Sequence, residues 1–171
     1  KIYCVEPEIK NFLLLKKNLK SNKKIFFYNI ALTNKKSNYQ KIYLDKNNSG
    51  DYSLIKKENS KSYLVKCVNI NFFFKSIFNK LKKNKIIYKS DTQGFDEILI
   101  LSLEKKYLEK INILMLEISN FSFLRRNKKK FIKLSTYFNI IEDEYGNKID
   151  QKKLLFKLDQ EQEFNILFAK I

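Results

Sequence analysis

The stretch that most constrains this chain is Ile86–Glu97, which reads Ile-Ile-Tyr-Lys-Ser-Asp-Thr-Gln-Gly-Phe-Asp-Glu. A short apolar run rich in β-branched and aromatic residues stops at Lys89–Asp91, and Gly94 then allows a sharp turn into the amphipathic segment Phe95–Leu103. The pattern predicts a strand, a polar turn and a helix. In an open α/β sheet, polar residues at the carboxyl end of a strand face the crevice where ligands bind, which makes Asp91 the first candidate for chemistry. The plainer reading of Asp91 is a cap on the helix that follows.

The same grammar recurs. Ile2–Val5 reads as a buried strand ending at Glu6, and Pro7 suits the first turn of a helix carrying Phe12, Leu15 and Leu19 on one side. Glu6 is placed either to hold the ribose hydroxyls of a nucleotide-like cofactor or simply to sit at a helix N-terminus. Ile25–Ala31 reads as the next strand, ending in Asn29-Ile-Ala31. Tyr39–Leu44 alternates as an edge strand would, Asn47–Gly50 reads as a loop, and Tyr63–Val68 alternates again, so an antiparallel extension is expected here. Asn71–Leu81 has helical spacing. Ile111–Ile118 is a nearly continuous apolar run with Glu117 near its end, as in a buried parallel strand. Phe131–Tyr137 suits a helix, Gly146-Asn147 a turn, and Phe138–Ile141 and Phe164–Ile171 closing strands. Alternating strands and helices predict an α/β fold, a mostly parallel sheet with antiparallel strands near its end. Parallel topology would bring Glu6, Asp91 and Glu117 to one rim.

Composition narrows the chemistry. With 171 residues, 44% apolar, and only one Pro and three Gly, the chain suits one globular domain spanning 1–171. No run approaches the ~20 apolar residues needed to cross a bilayer. Cys4 and Cys67 lie in apolar runs, as buried thiols in a reducing cytoplasm would. The absence of His excludes a His-based triad, an imidazole base and His-ligated metal, and no other metal-ligand pattern stands out. Thirty-five basic against 18 acidic residues give a net charge of +17, which attracts anionic partners. Yet Arg, the preferred reader of phosphate and guanine, occurs only at 125 and 126. The Lys excess therefore reads first as a solvated surface, with a Lys-rich nucleic-acid-binding domain as the rival reading.

Taken in order, these segments resemble the FkbM-type S-adenosylmethionine-dependent methyltransferases. Val5-Glu-Pro7 with Asn11–Leu19 looks like that family's second strand and helix, and Asn29–Leu32 like the segment after its third strand. Asn48-Ser-Gly50 and Ser53-Leu54 resemble its glycine- and serine-containing loop. Lys89-Ser-Asp-Thr-Gln-Gly-Phe-Asp96 resembles its signature, and Leu116-Glu-Ile118 and Asn165–Lys170 follow in the expected order. The resemblance implies a Rossmann-like class I methyltransferase sheet whose first strand and glycine-rich cofactor loop would precede Lys1, so the chain is expected to be a fragment of an enzyme. It further implies S-adenosylmethionine as cofactor, with Glu6 on its ribose and Asn29 and Ala31 at its adenine. The acceptor would be a hydroxyl of a sugar or other small molecule, with Asp91 beside the reactive methyl group. Given a sulfonium donor, a hydroxyl acceptor needs a base, and the positions at predicted strand ends assign its proton to Asp91 and its orientation to Gln93 and Glu117. Ile70–Phe73 and Ser102 depart from the family's pattern, and a non-catalytic methyltransferase-like protein is the further alternative.

Overall fold

In a computed structural model, residues 1–20, 22–44, 52–56, 60–78 and 85–170 are described. The expected Asn47–Gly50 loop, its Asn48–Gly50 motif included, lies outside them, as does the end of the expected Asn71–Leu81 helix. The chain divides into two compact units, Lys1–Phe73 and Phe74–Ile171.

The first unit opens with β1 (Ile2–Val5), α1 (Ile9–Leu19) and β2 (Ile25–Tyr28). β1 and β2 pair in parallel, Ile2 with Ile25 through Val5 with Tyr28. Tyr3 stacks on Phe26 at 5.2 Å, so an aromatic layer covers one side of this pair. The strand expected over Ile25–Ala31 is two strands. It breaks at Asn29, whose side-chain amide donates to the backbone oxygens of Glu6 (2.9 Å) and Pro7 (3.1 Å). The chain resumes as β3 (Ala31–Thr33) in a different sheet.

That second sheet also holds β4 (Tyr39–Leu44), β5 (Tyr52–Ser53) and β6 (Lys61–Asn69), in the order β3-β6-β4-β5. β6 runs parallel to β3 and antiparallel to β4, which is the expected antiparallel extension. Tyr39–Leu44 is not an edge strand, however, because β5 pairs with its far side. Ala31, Ile42, Val65 and Cys67 form the small core of this sheet. Helix α2 (Ile70–Phe78) follows, and the boundary between the units falls within it.

The second unit contains β7 (Ile86–Lys89), α3 (Asp96–Ser102), α4 (Lys105–Leu108), β8 (Ile111–Ile118), α5 (Phe121–Ser135), β9 (Ile140–Asp143), α6 (Gln151–Gln160) and β10 (Phe164–Ala169). Its sheet order is β7-β8-β10-β9, with β7 parallel to β8 and β10 antiparallel to both β8 and β9. The fold is thus α/β with mixed sheets, parallel in places. Ile111, Leu114, Leu116 and Ile118 are essentially inaccessible, as are Phe131, Leu134, Leu154 and Phe168. Removing a side chain of that size from water contributes roughly 1.5–3 kcal/mol, so this packing fixes the β8–β10 register on which the site depends. Among the described residues no helix is long and apolar enough to cross a membrane.

Candidate functional site

The site grows out of the turn between β7 and α3. Ser90 N–H donates to Met115 O (3.0 Å), extending the parallel ladder one residue beyond β7 and bringing Asp91 alongside the end of β8. The chain then reverses through two successive left-handed residues, Gln93 (φ 53°) and Gly94 (φ 85°). A side chain at Gln93 costs energy in this conformation. Asp96 offsets that cost by accepting from both the backbone N–H and the hydroxyl of Thr92, each at 2.8 Å.

A second set of bonds ties this turn to the loop after β8. One oxygen of Glu97 accepts from Ser119 N–H and Asn120 N–H, each at 2.8 Å. Asn120 donates from its side chain to Gly94 O (2.8 Å) and accepts from Phe123 N–H (3.1 Å), capping α5. Asp96 and Glu97 are wholly buried. Burial raises both carboxyls above their ordinary values, while the donors around them pull the other way. The two loops therefore form one rigid rim.

On that rim the structure brings Asp91, Gln93 and Glu117 together. Asp91 is exposed, accepts from the Gln93 amide (3.2 Å) and lies 3.9 Å from the Lys89 ammonium. Glu117 is 8% exposed, and its Oε2 has no hydrogen-bond partner among the described residues. Burial, then the like charges of Asp91, Glu163 and Asp96 and a side-chain hydrogen bond shared with Glu163, push its carboxyl up to about 7. Glu163 comes from β10's entry. Asn165 is the register partner of Glu117, so Glu163, two residues earlier, is its diagonal neighbour on the same sheet face.

Sequence reasoning placed Asp91, Gln93 and Glu117 at strand ends but assigned no part to Asp96, Glu97 or Glu163. The acids of the first α3 turn were visible as N-terminal charges, and Glu163 only as an acid before a closing strand. Among the described residues no group of three or more His, Cys, Asp or Glu side chains is arranged to hold a metal ion.

The other expected residues belong to the first unit. Glu6 stands just beyond β1, where Oε1 accepts from Glu8 N–H (2.7 Å), and burial raises its carboxyl. Glu8 caps α1 by accepting from Asn11 N–H (2.7 Å) with Oε2, while Oε1 accepts from the Tyr63 hydroxyl (3.2 Å). The Asn29 amide is committed to the Glu6–Pro7 loop, and Ala31 is buried beside Cys67.

No protein-family model, curated protein or solved structure matches the chain. The family resemblance thus stands on the quoted motifs alone.

Proposed function

We propose that this protein is an S-adenosylmethionine-dependent methyltransferase of Rossmann-like fold, acting in the cytoplasm on a hydroxyl of a small molecule. The observation that carries the reading is Glu117: a buried carboxyl at the end of β8 that shares a hydrogen bond with Glu163 and lies among the like charges of Asp91, Glu163 and Asp96. A hydroxyl acceptor is a weak nucleophile until its proton is taken, and a positioned base contributes about 10²–10⁴ in rate, most effectively when its pKa lies near the working pH. Glu117 meets that condition. Asp91, exposed and bonded to Gln93, suits the orienting role, which reverses the division of labour expected from the sequence.

The cofactor, when bound, supplies a methyl group activated by a positively charged sulfur. Of the residues expected to hold it, Glu6 fits a ribose diol: it ends a parallel strand, and its Oε2 takes no part in the bond to Glu8. Asn29 contributes by holding the Glu6–Pro7 loop rather than through a free amide. Ala31, enclosed in its own sheet, offers its backbone at most.

The test is calorimetric titration of the full-length protein with S-adenosylmethionine, followed by a radiolabelled methyl-transfer assay on pooled hydroxylated acceptors. Saturable cofactor binding and transfer are expected. Glu117→Gln should leave binding unchanged and slow transfer by about 10²–10⁴. Absence of cofactor binding by the wild type, or full turnover in Glu117→Gln, contradicts the reading.

A further inference from the structure

Alone among the described helices, α1 contains no buried residue, and it leaves aliphatic side chains in water. We propose that α1 and the turn after it dock on an anionic lipid bilayer, with Ile9, Leu13 and Leu14 entering the headgroup boundary and the lysines around them meeting the lipid phosphates. This surface is independent of the methyl-transfer reading above.

The first argument is what the helix exposes. At about 100° per residue, Phe12, Leu15 and Leu19 share one side of α1, and Phe12 and Leu15 are half-buried there. Ile9, Leu13 and Leu14 fall on the other side, 48%, 57% and 57% exposed. A helix that only covers a core carries polar residues at such positions. Helix α5 does so: it buries Leu124, Phe131 and Leu134 and exposes Arg125, Arg126, Lys129 and Lys130. That is an ordinary solvated basic face, and α1 differs from it by its aliphatic side chains.

The second argument is charge. Lys10, Lys16, Lys17, Lys20, Lys23 and Lys24 accompany these side chains, and no acid lies between Ile9 and Lys24 in the sequence. Asn22 N–H donates to Leu19 O (3.2 Å) and Ile25 N–H to Asn22 O (3.1 Å), a tight turn that keeps Lys23 and Lys24 at the end of the helix. None of the six lysines forms an ion pair with a carboxylate among the described residues, whereas Arg125, Lys128 and Lys157 of the second unit are each paired. The cations of α1 are therefore free to meet an external anion.

The third argument selects the occupant. Around the helix Lys10 and Lys17 lie between Leu13 and Leu14, so apolar and basic side chains share one surface. Nucleic acid would use the lysines and leave the leucines in water, and Arg, its preferred reader, is absent from this segment. A protein groove that receives a helix takes anchors at i, i+4 and i+7, but the residue seven after Ile9 is Lys16. A second copy would bring another +17 against the first. An anionic bilayer satisfies both kinds of side chain: aliphatic groups enter the acyl boundary while lysine stems lie along it and lift their ammonium groups to the phosphates.

The experiment is co-sedimentation of the full-length protein with vesicles of phosphatidylcholine alone and of three parts phosphatidylcholine to one part phosphatidylserine. Binding to the anionic vesicles should be stronger by about tenfold or more and should weaken as salt rises. Each lysine at such a surface is worth about fivefold, so Lys16→Gln with Lys17→Gln should weaken binding about 25-fold. Leu13→Gln with Leu14→Gln should weaken it about tenfold at unchanged charge, through lost apolar insertion. All four residues are exposed, so the circular dichroism spectrum of both variants should match the wild type. Absence of vesicle binding, equal affinity for the two compositions, or undiminished binding by the leucine variant would overturn the proposal. Preference for a mixed-sequence RNA over the anionic vesicles, lost in the lysine variant alone, would assign the face to nucleic acid and overturn it as well.

Discussion

The carboxyl ends of β1 and β8 carry the same kind of residue and put it to different use. Beyond β1, Glu8 is almost fully buried, but its two oxygens accept from a backbone N–H and a tyrosine hydroxyl. At the end of β8, Glu117 is buried to a similar degree, but faces Asp91, Asp96 and Glu163, and the hydrogen bond it shares is with another acid, Glu163. Glu97, more deeply buried still, also leaves its Oε2 without a hydrogen-bond partner among the described residues, but two backbone donors converge on its Oε1. Burial therefore does not mark a carboxylate for chemistry. What marks it is whether donors offset the loss of water or neighbouring acids add to it.

The comparison can be broken most severely at Glu97. Glu97→Ala strips the acceptor from two N–H groups and should cost about 3–4 kcal/mol in urea unfolding, with Glu97→Gln roughly half as harmful because an acceptor oxygen remains. A loss below about 1 kcal/mol would mean that the rim is not held as described.

Glu117→Gln should act in the opposite direction. The folded-state carboxyl titrates above its ordinary value, so its contribution to stability is complete below about pH 4.5 and is lost as pH rises through about 7. Removing the charge should thus stabilise the fold by about 2 kcal/mol at pH 8 and by little at pH 4. Glu8→Gln, judged by the same unfolding curves, should destabilise by about 1 kcal/mol, since it weakens a helix cap. Matching signs for the two substitutions would erase the distinction between the two strand ends. The smallest effect belongs to the exposed Lys128–Asp159 pair: Asp159→Ala should change stability by no more than about 0.5 kcal/mol.

The strands Ile2–Val5, Ile86–Lys89, Ile111–Ile118 and Phe164–Ala169 were legible as apolar runs, because burial on a sheet leaves that signature in the sequence. The break at Asn29 was not, since its cause is a pair of carbonyls 22 and 23 residues away. Helix α6 was missed for the opposite reason. Only Leu154 and Leu158 of its ten residues are buried, Phe156 points to solvent, and the lysines between them blur the period. Its start was nonetheless written at Asp150, which accepts from Lys153 N–H as an N-cap does.

The site shows the same limit. Asp91 and Glu117 could be placed at the ends of apolar runs. Glu163 becomes their neighbour only through the antiparallel register of β10 on β8, a non-local fact that no spacing encodes.

The most direct test is the titration of Glu117 itself, followed by NMR at its carboxyl carbon in glutamate-labelled protein and assigned with Glu117→Gln. A midpoint near 7 is predicted, moving downward when Glu163→Gln removes one of the neighbouring acids. A midpoint at the ordinary glutamate value of about 4.5, unmoved by that substitution, would contradict the claim that this carboxylate is poised for proton transfer.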